Sequence, residues 1–309
     1  MRYLKPLPAF LLLFLLLFLL SGCAQDQGKP AVPAQTGSGL QVVTSISPLA
    51  DLIKNVGGDK VQVTALVKPG NDPHDYEPTP EDVRLVSTAR IFFANGAGEE
   101  PYLERLVKNA ASPGLKLVTL SDGLEILDKG WNGDYAETGN PHLWLDVQNA
   151  EAYVRKIRDS LSEVSPQNRD YYAERAATYL QDLDQLDKSI AAEISSLPQA
   201  DRQMVVFHAA WPYFAKRYGL ELKSLVKNSD SEPSAREYAD LITYITSHHV
   251  KAVFGEVGFN PKLVQQLARD TGVKFVGNLY DDTVSPDSEA NTYIKMMTLD
   301  VQTIVKALK

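Results

Sequence analysis

Between Ser165 and Leu197 the chain runs without a glycine or a proline beyond Pro166, and this stretch constrains the fold more than any other feature. Ser165-Pro166 offers a capping side chain followed by proline at the first helical position, and Pro198 closes the stretch. Apolar residues fall three or four apart at Tyr172, Ala176, Tyr179, Leu183, Leu186, Ile190, Ile194 and Leu197. That spacing predicts one amphipathic helix about 48 Å long, at about 1.5 Å per residue. On either side of it lie short β-branched runs separated by helical stretches. Gln41–Ser45, Val61–Val67, Arg90–Ala94 and Lys116–Leu120 precede it; Gln203–Phe207, Leu220–Val226, Ala252–Gly255 and Val273–Val276 follow. Strands alternating with helices predict parallel sheets covered by helices. The expected fold class is therefore α/β, with two (β/α)4-type lobes joined by one long rigid helix. Such a connection resists hinge bending, so the cleft between the lobes should be preformed.

The amino terminus sets the compartment. Arg2 and Lys5 precede an apolar run from Phe10 to Leu20, and Leu20-Ser21-Gly22-Cys23 follows. A basic start, a short apolar core and small residues before a cut site describe a secretory signal. The run is too short for a membrane-spanning helix, which needs roughly 20 apolar residues. Cys23 is the single cysteine and stands where a lipoprotein signal places its acylated residue. With Cys23 acylated, the folded part has no thiol for disulfides or thiolate ligation. The expected organisation is a signal peptide at 1–22, a flexible Gln/Gly/Pro/Ser tether at 23–39, an N-terminal lobe at 40–164, the linking helix at 165–198 and a C-terminal lobe at 199–309. Without Arg2 and Lys5 the 31 basic residues fall to 29 against 39 acidic ones, a net charge of −10. An acidic surface is a poor partner for nucleic acid or for anionic lipid and tolerates cationic ligands. The mature chain is expected on the extracytoplasmic face of the cell membrane, held by its lipid and acting as a monomer.

Chemistry concentrates on a few residues. Of five histidines, His74 follows the second strand, His142 follows the fourth and His208 directly follows the fifth. Ligands of open α/β sheets bind at the carboxyl ends of strands, and all three histidines belong there. Glu256 ends the strand Ala252–Gly255, and the pair Asp281-Asp282 follows the last strand after a short loop. Three imidazoles and a carboxylate make a four-coordinate, nitrogen-rich set that suits Zn²⁺, although imidazole serves other transition ions as well. His74 and His142 each follow a proline, which limits the entropy lost on fixing the imidazole. His248-His249 closes a helix just before a strand and reads as structural. Trp144, Trp211 and Tyr76 adjoin the proposed ligands and could form a dry wall around them.

These segments resemble the zinc and manganese ABC transporter substrate-binding proteins, the cluster A-I or ZnuA-like family. Asp72-Pro73-His74-Asp75-Tyr76-Glu77-Pro78 is similar to the family's first ligand segment, and Asn140-Pro141-His142-Leu143-Trp144-Leu145-Asp146 to its second. His208-Ala209-Ala210-Trp211 through Tyr218-Gly219 resembles the third; Phe254-Gly255-Glu256 and Leu279-Tyr280-Asp281-Asp282-Thr283 resemble the last two. The resemblance implies two lobes joined by a backbone helix and a metal held between them by His74, His142, His208 and an aspartate. Its register points to Asp282, with Thr283 in the place of a family serine and Asp281 as the other candidate. Glu256 matches a family glutamate near the site, as a supporting or substitute ligand. The implied role is capture of a divalent transition metal, Zn²⁺ before Mn²⁺, and delivery to the permease of an ABC importer. Histidine at position 208 favours zinc, because members that favour manganese usually carry glutamate there. The segment Asp128 to Gly139 lacks the histidine-rich loop of many zinc importers, which pulls the other way. A zinc-dependent hydrolase with Glu256 as base is the competing class. A closed four-ligand site and the missing H-E-x-x-H pattern argue against it. No catalytic residue is expected, and nothing in the sequence marks the adhesive surface of a third class.

Overall fold

The computed structural model describes residues 39–127, 138–226, 232–286 and 289–309. The expected signal peptide, Cys23, the tether up to residue 38 and residues 128–137 of the histidine-poor segment lie outside the described residues.

Two four-stranded sheets, each wholly parallel, organise the rest. The first contains β1 (Leu40–Thr44), β2 (Val61–Ala65), β3 (Ile91–Ala94) and β4 (Lys116–Thr119), in the order β2-β1-β3-β4. The second contains β5 (Gln203–His208), β6 (Glu221–Val226), β7 (Ala252–Glu256) and β8 (Lys274–Leu279), in the order β6-β5-β7-β8. Each sheet thus has the same order, and in each the chain reverses direction across the sheet between its first and third strands. The crevice at that switch point is where open α/β sheets take ligands. Strands β3 and β7 are buried along their whole length, as strands covered on both faces must be. The expected (β/α)4-type pattern holds in both halves.

Among the described residues the helices are α1 (Ser47–Gly57), α2 (Pro80–Thr88), α3 (Leu103–Ala110), α4 (Val147–Val164), α5 (Arg169–Ser195), α6 (Pro212–Tyr218), α7 (Ala235–Ser247), α8 (Lys262–Thr271) and α9 (Tyr293–Leu308). The long helix is α5, 27 residues, or about 40 Å at about 1.5 Å per residue. All eight apolar positions predicted to face inward are buried. The start of the helix differs from the sequence reading. Pro166–Asn168 forms a separate 3₁₀ turn, and Ser165 makes no capping bond to a backbone amide. Its hydroxyl instead accepts from the Asn168 side chain at 2.8 Å, so α5 begins one turn later and is correspondingly shorter.

One continuous apolar core runs from Val42 to Leu308, with the α5 stripe along its middle. α9, although last in the sequence, packs on α5 and α1. Its first residue fixes that placement: the Tyr293 amide donates to Asp51 Oδ2 at 2.8 Å and its hydroxyl to the Trp144 carbonyl at 2.5 Å. A shared core of this kind makes relative movement of the two sheets costly, since apolar surface would have to be exposed at about 25 cal/mol per Å².

Candidate metal centre

His74 sits in a loop whose shape is set before it reaches the site. The Asp72 carboxylate accepts from the His74 amide at 2.8 Å, and the Tyr76 hydroxyl donates to Asp82 Oδ2 at 2.7 Å. Thr79 and Asp82 form a reciprocal capping box at the start of α2, a cap worth about 1 kcal/mol. Three prolines (Pro73, Pro78 and Pro80) stiffen the same stretch.

His142 is fully buried, and its ring is oriented by Asn140. The Asn140 amide nitrogen donates to the Ala209 carbonyl at 2.7 Å, which settles which end is the oxygen. That oxygen lies 3.0 Å from both the His142 amide and His142 Nδ1. Nδ1 therefore carries the proton of that bond, and Nε2 presents its lone pair to the centre. Because Ala209 follows His208, the same asparagine ties two of the histidine segments together.

His208 is the last residue of β5, and Glu256 the last of the neighbouring strand β7. Glu256 Oε2 accepts from His208 Nδ1 at 2.6 Å and from its amide at 3.1 Å. Glu256 Oε1 accepts from the Trp211 indole at 3.1 Å. The Trp144 indole donates to the Asp281 carbonyl at 2.7 Å. Both tryptophans expected to wall the cleft thus also fix the groups behind it.

Asp282 stands where the three Nε2 atoms converge. Its carboxylate oxygens lie 3.3 Å from His142 Nε2, 3.5 Å from His74 Nε2 and 3.6 Å from His208 Nε2. His142 Nε2 and His208 Nε2 are 3.2 Å apart. A tetrahedron with arms of about 2.0–2.1 Å, the Zn–N distance, has edges of about 3.3–3.4 Å. The His142–His208 separation and the one from Asp282 Oδ1 to His142 match that edge, while the 3.5 Å and 3.6 Å separations run from the other Asp282 oxygen, Oδ2. Candidate ligand atoms of His74, His142, His208 and Asp282 all lie within 4.8 Å of one another. His74 Nε2 and both Asp282 oxygens are buried without a hydrogen-bond partner, the state expected of atoms kept for a cation.

Asp281 points elsewhere. Its Oδ1 accepts from the Asp282 amide at 2.9 Å and its Oδ2 lies 3.5 Å from His208 Nδ1, on the Glu256 side of the ring. Burial, reinforced by the Asp282 and Glu256 charges, pushes its carboxyl well above the usual range. Asp282 is opposite in behaviour: burial would raise it, but the imidazoles of His142 and His74 outweigh that and hold it well below. Of the two aspartates that the residues alone left open, Asp282 is the ionised one facing all three histidines.

The histidines divide in the same way. Burial works against the charged form of each. At His74 the Asp282 carboxylate 3.5 Å away and the Glu99 and Asp72 charges overcome it and lift the pKa to about 10. At His208 the carboxylates of Glu256, Asp281 and Asp282 lift it to about 9. At His142 burial prevails and the pKa falls to about 4. Without a cation, protons on His74 and His208 neutralise the buried carboxylates.

Two residues of this neighbourhood escaped the sequence reading. Asn140 was part of a motif but had no role; its side chain orients His142. Glu99, in the loop after β3, is 1% exposed; burial, with the Asp282 and Glu100 charges, pushes its carboxyl up to about 8 against the pull of His74 and His208. The adjacent Glu99-Glu100 pair at a strand end was the signal that could have found it. His248 and His249 lie away from the centre, exposed at the end of α7, with His248 stacked on Tyr244 at 4.2 Å between ring centroids.

Comparison with known proteins gives this geometry a context. Residues 42–307 match the family described as "Zinc-uptake complex component A periplasmic". The chain belongs to that family. Among relatives, the manganese-binding lipoprotein MntA of Halalkalibacterium halodurans is 35% identical over 93% of this chain and 94% of its own length. Among solved structures, the periplasmic zinc-binding protein TroA from Treponema pallidum aligns with a TM-score of 0.81 at 29% identity, covering 88% of this chain and 99% of TroA. The Mn-bound periplasmic metal-binding protein of Candidatus Liberibacter asiaticus aligns with a TM-score of 0.79 at 28% identity, covering 87% and 99%. Members of the zinc-uptake component family are substrate-binding parts of metal ABC transporters, not enzymes.

Proposed function

We propose that this chain captures one divalent transition-metal ion between His74, His142, His208 and Asp282 and passes it to the permease of an ABC importer. The observation that carries the reading is the convergence of three imidazole Nε2 atoms on the two oxygens of one buried, ionised carboxylate, at 3.3–3.6 Å. Glu256 and Asn140 act behind His208 and His142, holding each ring by Nδ1; such supporting bonds typically contribute 10–100-fold to affinity. The leader and Cys23 give the chain an extracytoplasmic, lipid-anchored location, in keeping with the lipoprotein names of its relatives. The boundaries we propose remain a lobe at 40–164, a linking helix at 165–198 and a lobe at 199–309.

Zinc is the ion we propose, because three nitrogens and one oxygen form the softer, four-coordinate set that suits Zn²⁺. Manganese is the second reading, favoured by the manganese names of several relatives and by the Mn-bound structure of one. Competitive titration of the purified mature chain with Zn²⁺ and Mn²⁺, followed by metal analysis, separates them. One Zn²⁺ bound in the presence of excess Mn²⁺ supports zinc; retention of Mn²⁺ against equimolar Zn²⁺ rejects it.

A further inference from the structure

A glutamate stands at or beyond the end of the third strand of each sheet, and the surroundings treat the two differently. β7 ends in Glu256, whose carboxylate is fully engaged by His208 and Trp211. After β3 comes the loop Asn95–Glu100, at the switch point of the first sheet. Gly96 and Gly98 hold left-handed φ angles of 84° and 87°, with Ala97 at 52° between them, and this curl turns the loop back over the strand ends. Glu100 serves the loop itself: its oxygens accept from Ser45 Oγ at 2.5 Å, the Asn95 amide at 2.7 Å and the Gly96 amide at 3.0 Å. Asn95 Nδ2 donates to the Pro141 carbonyl at 2.8 Å, and Thr138 leaves no room for a Cβ on Gly98. The loop is thereby fastened to the residues just before His142.

Glu99 is the exception in this well-bonded loop. It is buried, yet neither carboxylate oxygen has a hydrogen-bond partner. A buried carboxyl group without a partner is an unfavourable placement for a side chain, and such groups in folded proteins call for a ligand or a function. The charges that act on it are those of His74, Asp282, Glu100 and His208; three of those four belong to the proposed metal centre.

We propose that Glu99 is a further oxygen donor to the captured ion, drawn towards His74 when the cation arrives, and that it sets the balance between zinc and manganese. The proposal rests on the metal-capture reading above. Glu99 lies outside the group of four whose ligand atoms fall within 4.8 Å of one another, so its carboxylate must swing inward to bind. Its addition changes a three-nitrogen, one-oxygen set into a five-donor set with two oxygens. A harder shell with a larger coordination number suits Mn²⁺ better than Zn²⁺. A chain with this residue can therefore hold manganese at a centre whose other donors are those of a zinc site.

Co²⁺ substitution reads the coordination number directly, because four-coordinate Co²⁺ absorbs visible light far more strongly than five- or six-coordinate Co²⁺. The mature wild-type chain loaded with Co²⁺ is expected to absorb weakly, and Glu99→Gln, nearly the same in shape, to gain the intense four-coordinate band. In parallel, Glu99→Gln should lose roughly tenfold in Mn²⁺ affinity while Zn²⁺ affinity changes far less, a loss of the size expected when one metal-supporting group is removed. An intense band already present in wild type, or identical spectra and identical Mn²⁺ affinity in both proteins, overturns the proposal. An intense four-coordinate band in wild type overturns the proposal even where the variant fails to fold. Failure of wild type to bind Co²⁺, Zn²⁺ or Mn²⁺ at all rejects instead the capture reading on which it rests.

Discussion

The Gly70 amide donates to Thr283 Oγ1 across 3.0 Å, so the loop carrying His74 is bonded directly to the loop carrying Asp282. Ser47, at the start of α1, joins the same junction: its hydroxyl lies 3.2 Å from Thr283 Oγ1 and accepts from the Val284 amide at 3.0 Å. A ligand from each sheet is thus locked to the other by groups that do not touch the ion. Removing the Thr283 hydroxyl while keeping its shape should loosen that lock. Thr283→Val is expected to release bound metal roughly fivefold faster, the equivalent of one hydrogen bond at about 1 kcal/mol. Stopped-flow transfer to a chelator measures it, and Thr283→Ser should restore the wild-type rate. Equal release from all three proteins removes the lock from the account.

Glu256→Gln tests the support behind His208. The amide keeps the volume but loses the charge that holds His208 Nδ1 at 2.6 Å. Zn²⁺ affinity is expected to fall 10–100-fold with stoichiometry unchanged. A change of less than about twofold, far short of that range, would contradict the role given to Glu256.

The two aspartates should separate cleanly. Asp282→Asn removes the ionised donor and is expected to reduce affinity severely. Asp281→Asn replaces a carboxyl that lies on the Nδ1 side of His208 and that burial pushes above its usual range, and it should leave stoichiometry intact with a modest loss. Competitive titration of both variants checks this; the reverse order assigns the ligand to Asp281.

Much of this centre was legible in the sequence, and the parts that were not have a common cause. His74, His142 and His208 could be placed because His74 and His142 follow strands and His208 ends one, and strand ends are fixed by β-branched runs that local pattern reveals. The α5 stripe was legible because a 3.6-residue period survives over 27 residues. The Ser165 cap was misplaced because Pro166 favours a helical start without specifying α or 3₁₀. The shared strand order of the two sheets, the packing of α9 back onto α1, and the burial of Glu99 are all products of long-range contact. The choice between Asp281 and Asp282 is of the same kind: neighbours in sequence face opposite sides of one imidazole, and only the fold decides which faces which.

The electrostatics of the centre predict a pH signature. The pKa values of His74 and His208 in the metal-free fold, about 10 and about 9, lie above the unfolded value of about 6.5. Their contribution to stability is fully present below about pH 6.5 and is lost as pH rises towards 10. His142, lowered to about 4, acts in the other direction and loses its contribution as pH falls from about 6.5 to 4. The metal-free protein should therefore melt at its highest temperature near pH 6–7 and lose stability on either side. The metal-loaded protein, its imidazoles deprotonated by coordination, should not lose stability between pH 7 and pH 9. Metal binding at pH 7 should release protons from His74 and His208, read by calorimetry in buffers of different ionisation enthalpy. Equal melting temperatures of the metal-free protein at pH 6.5 and pH 10, with no proton release, would remove this charge assignment.

The most direct test of the central claim is anomalous diffraction from crystals of the mature chain grown with Zn²⁺, collected on both sides of the zinc edge. The account predicts a single anomalous peak about 2.0–2.2 Å from the Nε2 atoms of His74, His142 and His208 and from an Asp282 oxygen. A peak elsewhere, or bound zinc with these four residues left free, would contradict it.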